Sequence, residues 1–116
     1  MKGDAVYLQH ILESIDLIAQ YVSTGRAEFH DNPLLQDAVA RRLQTLAEST
    51  QRLSEGLKTE APSVPWRAIA GLRNVLTHDY LGTDPDILWM IVEQDLPSLR
   101  ITAQELFERH GRGQVR

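Results

Sequence analysis

Apolar residues recur at steps of three and four along almost the whole chain, a periodicity that leaves little room for anything but helices. Leu8, Ile11, Leu12, Ile15, Ile18, Ala19 and Val22 form the first stripe, behind Asp4, a residue able to cap a helix. Thr24-Gly25 reads as a stop. Asp31-Asn32-Pro33 reads as a fresh start, a capping residue followed by proline at the first helical position, where its missing N–H costs nothing. From there Val39, Leu43, Leu46, Thr50, Leu53 and Leu57 step by four and three, a heptad seam with one polar interruption. Residues 59–65 hold Pro62 and Pro65 and read as a loop. Pro65 or Trp66 opens a third helix, which Gly82 ends; Asp84-Pro85 opens a fourth, which Pro97 kinks or divides. No alternating β-branched run and no Asn-Gly hairpin turn appears. The expected fold is all-α, an antiparallel bundle of four to five helices. Its Leu-rich seam can face a neighbouring helix or a second copy of the chain. Core is the commoner fate, because every bundle needs such stripes.

With 116 residues and 13.1 kDa, one domain is expected over residues 1–110, with 111–116 as a flexible tail. Hydrophobic residues at 42% against 24% charged give a globular balance. The chain contains no cysteine, which excludes thiol catalysis, disulfides and cysteine-ligated zinc and suits a reducing cytosol. No apolar run approaches the roughly 18 residues of a membrane span, and residues 1–4 do not read as a secretory signal. A cytoplasmic location is therefore expected. The net charge of −4 excludes nucleic-acid binding by bulk electrostatics, so any contact with RNA must come from a local cluster. Apart from Lys2 and Lys58 every basic residue is arginine, the side chain suited to two-pronged contacts with phosphate or carboxylate.

Chemistry concentrates in residues 66–82, WRAIAGLRNVLTHDYLG. On a helix, Ile69, Leu72, Val75 and Leu76 share one arc. Arg73, Thr77 and Tyr80, spaced by four and three, share a polar stripe, and Asn74 and His78 share another about 100° further round. Arginine can grip a phosphate and stabilise the charge of a pentacoordinate transition state. Histidine can take a proton from one oxygen and return it to another near neutral pH. The ribose 2′-hydroxyl of RNA is a built-in nucleophile, so these two roles suffice for chain cleavage without a metal. The plainer reading leaves Arg73 and His78 as exposed residues near a helix C-terminus, where cations suit the dipole. Five positions apart, they do not superpose on one straight helix, so a single chain makes a loose site.

Arg73-Asn74-Val75-Leu76-Thr77-His78-Asp79-Tyr80 matches the pattern Arg-x4-His-x-Tyr and resembles the signature of HepT-like proteins of the HEPN superfamily. The resemblance extends through PLLQDAVARRLQTLAESTQRLSEGL at 33–57 and DPDILWMIVEQDLPSL after the motif. It implies a HEPN-like homodimer whose motif helices meet near the twofold axis, so that Arg73 of one chain complements His78 of the other. It also implies a metal-independent endoribonuclease acting on tRNA or mRNA as the toxin of a toxin–antitoxin pair. Arg73 and His78 would be catalytic, with Asn74 and Thr77 in support. The implied antitoxin is an MntA-like minimal nucleotidyltransferase that transfers AMP from ATP to the motif tyrosine, here Tyr80. A second function stands beside this one, a non-catalytic helical subunit that docks a nucleotidyltransferase and positions its substrate.

Other residues carry weaker signals. Ala47-Glu48-Ser49 stands where many relatives read Gly-Glu-Ala, and Asp79 stands in place of Glu. Glu48 can pair with an arginine of the motif helix or lie solvated. Arg41 and Arg42 can contact RNA or an acidic antitoxin surface, or form a solvated face. His10, His30 and His110 lie in no metal-ligand spacing, so no metal is expected. Trp66 and Trp89 read as packing rather than base-stacking residues. Nothing resembles a phosphate-cradling glycine loop; no cofactor is expected, and ATP chemistry would belong to the partner.

Overall fold

The structure, a computed structural model, describes residues 2–78 and 84–111. It is all-helical, with no strand among the described residues. In chain order come α1 (Lys2–Tyr21), α2 (Arg26–Asp31), α3 (Pro33–Arg52), α4 (Glu55–Thr59), α5 (Trp66–His78) and α6 (Pro85–Met90). A π-helical turn, Ile91–Asp95, leads into α7 (Leu96–Leu106), and a second π-helical turn, Phe107–Gly111, follows it. Residues 112–116 of the expected tail lie outside the described residues.

The two long helices α1 and α3 pack along each other, with α5 on the far side of α3 and α7 against α1. Leu8, Ile11, Ile15 and Ile18 of α1 interlock with Val39, Leu43 and Leu46 of α3, all buried. Each such side chain contributes about 1.5–3 kcal/mol by leaving water. The whole heptad seam, including Thr50, is buried inside this one chain. Thr50 satisfies its hydroxyl by donating to the Ala47 carbonyl at 2.7 Å. The seam is thus core, and it is not available to a second copy.

Three local features depart from the periodic reading. The seam does not run in one helix to Leu57, because α3 stops at Arg52 and Leu53 and Ser54 adopt extended backbone. Ser54 starts α4 by accepting from the Leu57 N–H at 3.3 Å. Its own N–H and hydroxyl donate to the two oxygens of Asp4 at 2.8 and 2.7 Å. Asp4 therefore does not cap α1. It sits in the first turn, 5% exposed, and serves a break 50 residues away.

The second departure is α2, six residues between the expected stop and start. Gly25 enters it at φ +102°, a conformation that side chains resist. Phe29 is its one buried residue, too little to leave a periodic trace. Gln36 then ties its end to α3, donating to the carbonyls of Phe29 and His30 at 3.0 and 2.8 Å. The expected cap is present next to it: Asn32 Oδ1 accepts from the N–H groups of Leu34 and Leu35.

The third departure is the manner in which the last helix divides at Pro97: a π-helical turn separates α6 from α7, and Pro97 sits in the first turn of α7, where its missing N–H costs little. The preceding π-helical turn bonds the Leu96 N–H to the Ile91 carbonyl, five residues back, which re-spaces the ladder where proline cannot donate. Asp84 opens α6 as expected, accepting from the Asp86 N–H at 2.8 Å. The expected stop at Gly82 lies outside the described residues. Three long-range pairs, centred on Asp16 and Glu60, close the bundle. Arg100 grips Asp16 at 2.7 and 3.2 Å, and Glu60 accepts from Arg109 at 2.9 Å while sitting 2.8 Å from His110 Nε2.

Candidate functional site

Helix α5 begins at Trp66, whose indole N–H donates to the Ala61 carbonyl at 3.0 Å and fastens the preceding loop. Ile69 is buried, and Leu72 and Leu76 are half-buried against the core, so the apolar arc faces inward. Arg73 and Asn74 are exposed. Thr77 and His78 occupy the last two positions of the described helix. Tyr80 and Asp79 lie outside the described residues. Because the backbone is α-helical from Arg73 to His78, the two are separated by about 140° around the axis and about 7.5 Å along it. The helix does not by itself bring them onto one face.

The neighbour of this surface is α3. Gln51, near the end of α3, donates to the Ala70 carbonyl near the start of α5 at 3.5 Å. The two helices pack along their lengths from that point, so they run antiparallel. Glu48, one turn before Gln51, is therefore level with Arg73 and Asn74, one turn after Ala70. Arg41 lies about two turns further back along α3, exposed, and its Nη1 donates to Gln44 Oε1 at 3.4 Å. Arg42 is half-buried, about 100° round from Arg41, so the two do not form one basic face.

Glu48 resolves in favour of a partner on its own helix. Its ion pair is with Arg52 at 3.6 Å, and among the described residues none joins it to Arg73. The Arg52 guanidinium lies 5.9 Å from the centre of the Tyr7 ring. The nearby Tyr7 first, and then the Glu48 carboxylate, push Arg52 above its ordinary arginine value. Sequence reasoning passed over Gln44, Gln51 and Arg52. Their signal is a polar stripe with Glu48 at three- and four-residue steps, none of it buried in the core.

The remaining candidates pack locally. Trp89 is half-buried, tilted against Phe29 with ring centres 5.5 Å apart, and Trp66 packs against the core. His10 lies 2.6 Å from the Ser49 hydroxyl, and His30 lies near Asp31 and Asp86. Among the described residues no group of three acidic, histidine or cysteine side chains is placed to hold a metal ion. No described helix is long and apolar enough to cross a membrane.

A cleft of about 260 Å³ lies beside the first half of α5, lined by Leu46, Ile69, Leu72, Leu96 and Leu99 among others. Arg73 and Asn74 do not line it. They stand on open surface instead. Small substrates are usually taken into concave, mostly apolar sites. An exposed arginine and amide on a helix suit a long anionic chain laid across the surface.

Comparison with known proteins gives the family. The family model for ribonuclease HepT-like proteins matches residues 11–106. A Methanocaldococcus jannaschii protein named "Gamma-glutamylcyclotransferase and putative RNase" is 34% identical over 108 residues, 92% of this chain and 49% of its own length. The chain thus spans about half of that relative. A second M. jannaschii protein, named "Putative RNase", is 34% identical over 95 residues, covering 81% of this chain and 87% of its own. A Thermococcus cleftensis protein named "Probable ribonuclease HepT" is 36% identical over 97 residues, covering 81% and 86%. No solved structure matches the chain. With 96 consecutive positions matched by the family model, the chain belongs to the ribonuclease HepT-like family.

Proposed function

We propose that this protein is a metal-independent endoribonuclease, the cytoplasmic toxin of a toxin–antitoxin pair, with Arg73 and His78 as its catalytic residues. The observation that carries the reading is the exposed Arg73-Asn74 pair on α5, five positions before His78, within a chain of the ribonuclease HepT-like family. Histidine removes the proton of a ribose 2′-hydroxyl, and the 2′-oxygen attacks the adjacent phosphorus. The 5′-oxygen leaves and takes that proton back from the histidinium, giving a 2′,3′-cyclic phosphate and a 5′-hydroxyl. Arg73 stabilises the charge that builds on the phosphoryl oxygens, and Asn74 and Thr77 orient the chain. Arginine and histidine together supply both charge stabilisation and proton transfer, so the route calls for no metal.

The angular separation of Arg73 and His78 supports a site made by two chains, Arg73 of one protomer with His78 of the partner subunit. Control would come from a cognate MntA-like nucleotidyltransferase. The Tyr80 phenol attacks the α-phosphorus of ATP, pyrophosphate leaves, and the phenol proton passes to a base on the partner. AMP on Tyr80, seven residues after Arg73 in the sequence, would set a phosphate against the arginine and adenosine across the RNA path.

The test incubates purified, unmodified protein with total tRNA in EDTA and maps the ends. Cyclic-phosphate or 3′-phosphate ends beside 5′-hydroxyls, lost in Arg73→Ala and His78→Ala, support the reading. Strict dependence on added magnesium contradicts the chemistry. No cleavage, with growth arrest on expression unaffected by His78→Ala, leaves the role of a binding subunit for the nucleotidyltransferase.

A further inference from the structure

Glu48 stands where it can compete with RNA. On α3 it lies one turn before Gln51, whose amide reaches the Ala70 carbonyl of α5 at 3.5 Å, and Arg73 lies one turn after Ala70. Between antiparallel helices, equal steps in opposite directions keep residues level, so Glu48 and Arg73 are neighbours across the α3–α5 seam. Both reach the surface. A carboxylate is the natural two-pronged partner of a guanidinium and would occupy the edge that a phosphate needs. Glu48 pairs instead with Arg52 at 3.6 Å, one turn further along its own helix. Arg52 is held in turn from α1, its guanidinium 5.9 Å from the centre of the Tyr7 ring, within range of a cation–π attraction.

We propose that Arg52 is a positioning residue for the ribonuclease site: anchored on Tyr7, it holds the Glu48 carboxylate away from Arg73 and so keeps Arg73 available to an RNA phosphate. The inference rests on the reading of Arg73 as the phosphate-binding residue. Arg52 itself need not touch RNA. Remove its charge, and the nearest cation on the facing helix for Glu48 is Arg73, which then enters a salt bridge with protein in place of substrate. The cost to RNA is the loss of one charge-assisted contact, with no change in the fold.

The experiment compares wild type, Arg52→Gln, Glu48→Gln and the double variant, all in the full chain. It measures affinity for fluorophore-labelled bulk tRNA by anisotropy and kcat/KM for cleavage of the same RNA. Arg52→Gln should weaken tRNA binding about two- to fivefold at an unchanged thermal midpoint, the range of an exposed ion pair. Glu48→Gln/Arg52→Gln should bind as Glu48→Gln does, because without the carboxylate Arg52 has nothing to restrain. A purely structural role for Arg52, or its own contact with RNA, would leave the double variant as weak as Arg52→Gln. That outcome overturns the proposal, as does an Arg52→Gln protein that binds like wild type. Arg73→Ala run alongside separates the two levels. If it binds tRNA as tightly as wild type, the site itself is misassigned and the proposal falls with it. If it loses affinity while Arg52→Gln does not, only the role of Arg52 falls.

Discussion

Replacing Asp4 by alanine should destabilise the bundle far more than an aspartate in a first helical turn ordinarily would. At such a position the carboxylate usually contributes a few tenths of a kcal/mol to about 1 kcal/mol through the helix dipole. Here it is buried and accepts two short bonds from Ser54, one from the N–H and one from the hydroxyl. A hydrogen bond to a charged group is worth about 1.5–3 kcal/mol, and removing the acceptor strands the Ser54 N–H at the break between α3 and α4. The loss should be about 3 kcal/mol for Asp4→Ala. Asp4→Asn should cost about 1 kcal/mol, since the amide can accept from the Ser54 N–H and donate to its hydroxyl. Ser54→Ala should cost about 1–2 kcal/mol, because it also removes the α4 cap. The double variant should cost less than the sum, with a coupling of about 1 kcal/mol. Urea unfolding followed by far-ultraviolet circular dichroism at one fixed protein concentration reads all four. An Asp4→Ala protein within about 0.5 kcal/mol of wild type, the scatter of ordinary surface changes, would refute the reasoning.

Other perturbations probe different parts of the fold. Leu46→Ala, at a fully buried position where α3 meets α5, should cost about 2–5 kcal/mol in the same unfolding assay. Gly25→Ala should cost about 1 kcal/mol or more despite the open space around it, because φ +102° strains any side chain. Hydrogen bonding from Arg100 holds Asp16 below its ordinary 3.8, and His110 and then Arg109 hold Glu60 below 4.5. Both contributions are fully present above those values and vanish as the pH falls through the lower folded-state ones. Asp16→Asn should therefore flatten the acid limb of a stability–pH profile while changing little at neutral pH, by under about 1 kcal/mol for so exposed a pair. An unchanged acid limb would contradict that assignment.

The helices that the sequence reveals are those with a long buried face. Leu8 to Ile18 and Val39 to Leu46 repeat their burial often enough for period to show, and Asn32-Pro33 and Asp84-Pro85 carry their own start chemistry. What escaped is what depends on distant partners. Asp4 looks like a cap by position, and only the approach of Ser54 from 50 residues away gives it another task. The end of α3 at Leu53 is invisible to a heptad count, because Leu53 and Leu57 are buried on both sides of the break. The π-helical turn before Pro97 is a response to proline that composition alone leaves undecided. At the site, the motif spacing correctly turns Ile69 inward and Arg73 outward, since both follow from the period of α5. The partner of Glu48 did not follow, because two arginines, Arg52 and Arg73, compete for it and the choice rests on Tyr7 from a third helix.

The central claim is that RNA is cut by Arg73 of one chain acting with His78 of another, and a mixing experiment tests it most directly. Arg73→Ala and His78→Ala are purified separately, each inactive on tRNA in EDTA, then mixed in equal amounts, unfolded and refolded together. Random pairing makes half the dimers mixed, and each mixed dimer rebuilds one intact site of two. The mixture should therefore recover about a quarter of wild-type cleavage. A mixture no more active than its components, beside a refolded wild type that cuts normally, would contradict the two-chain site.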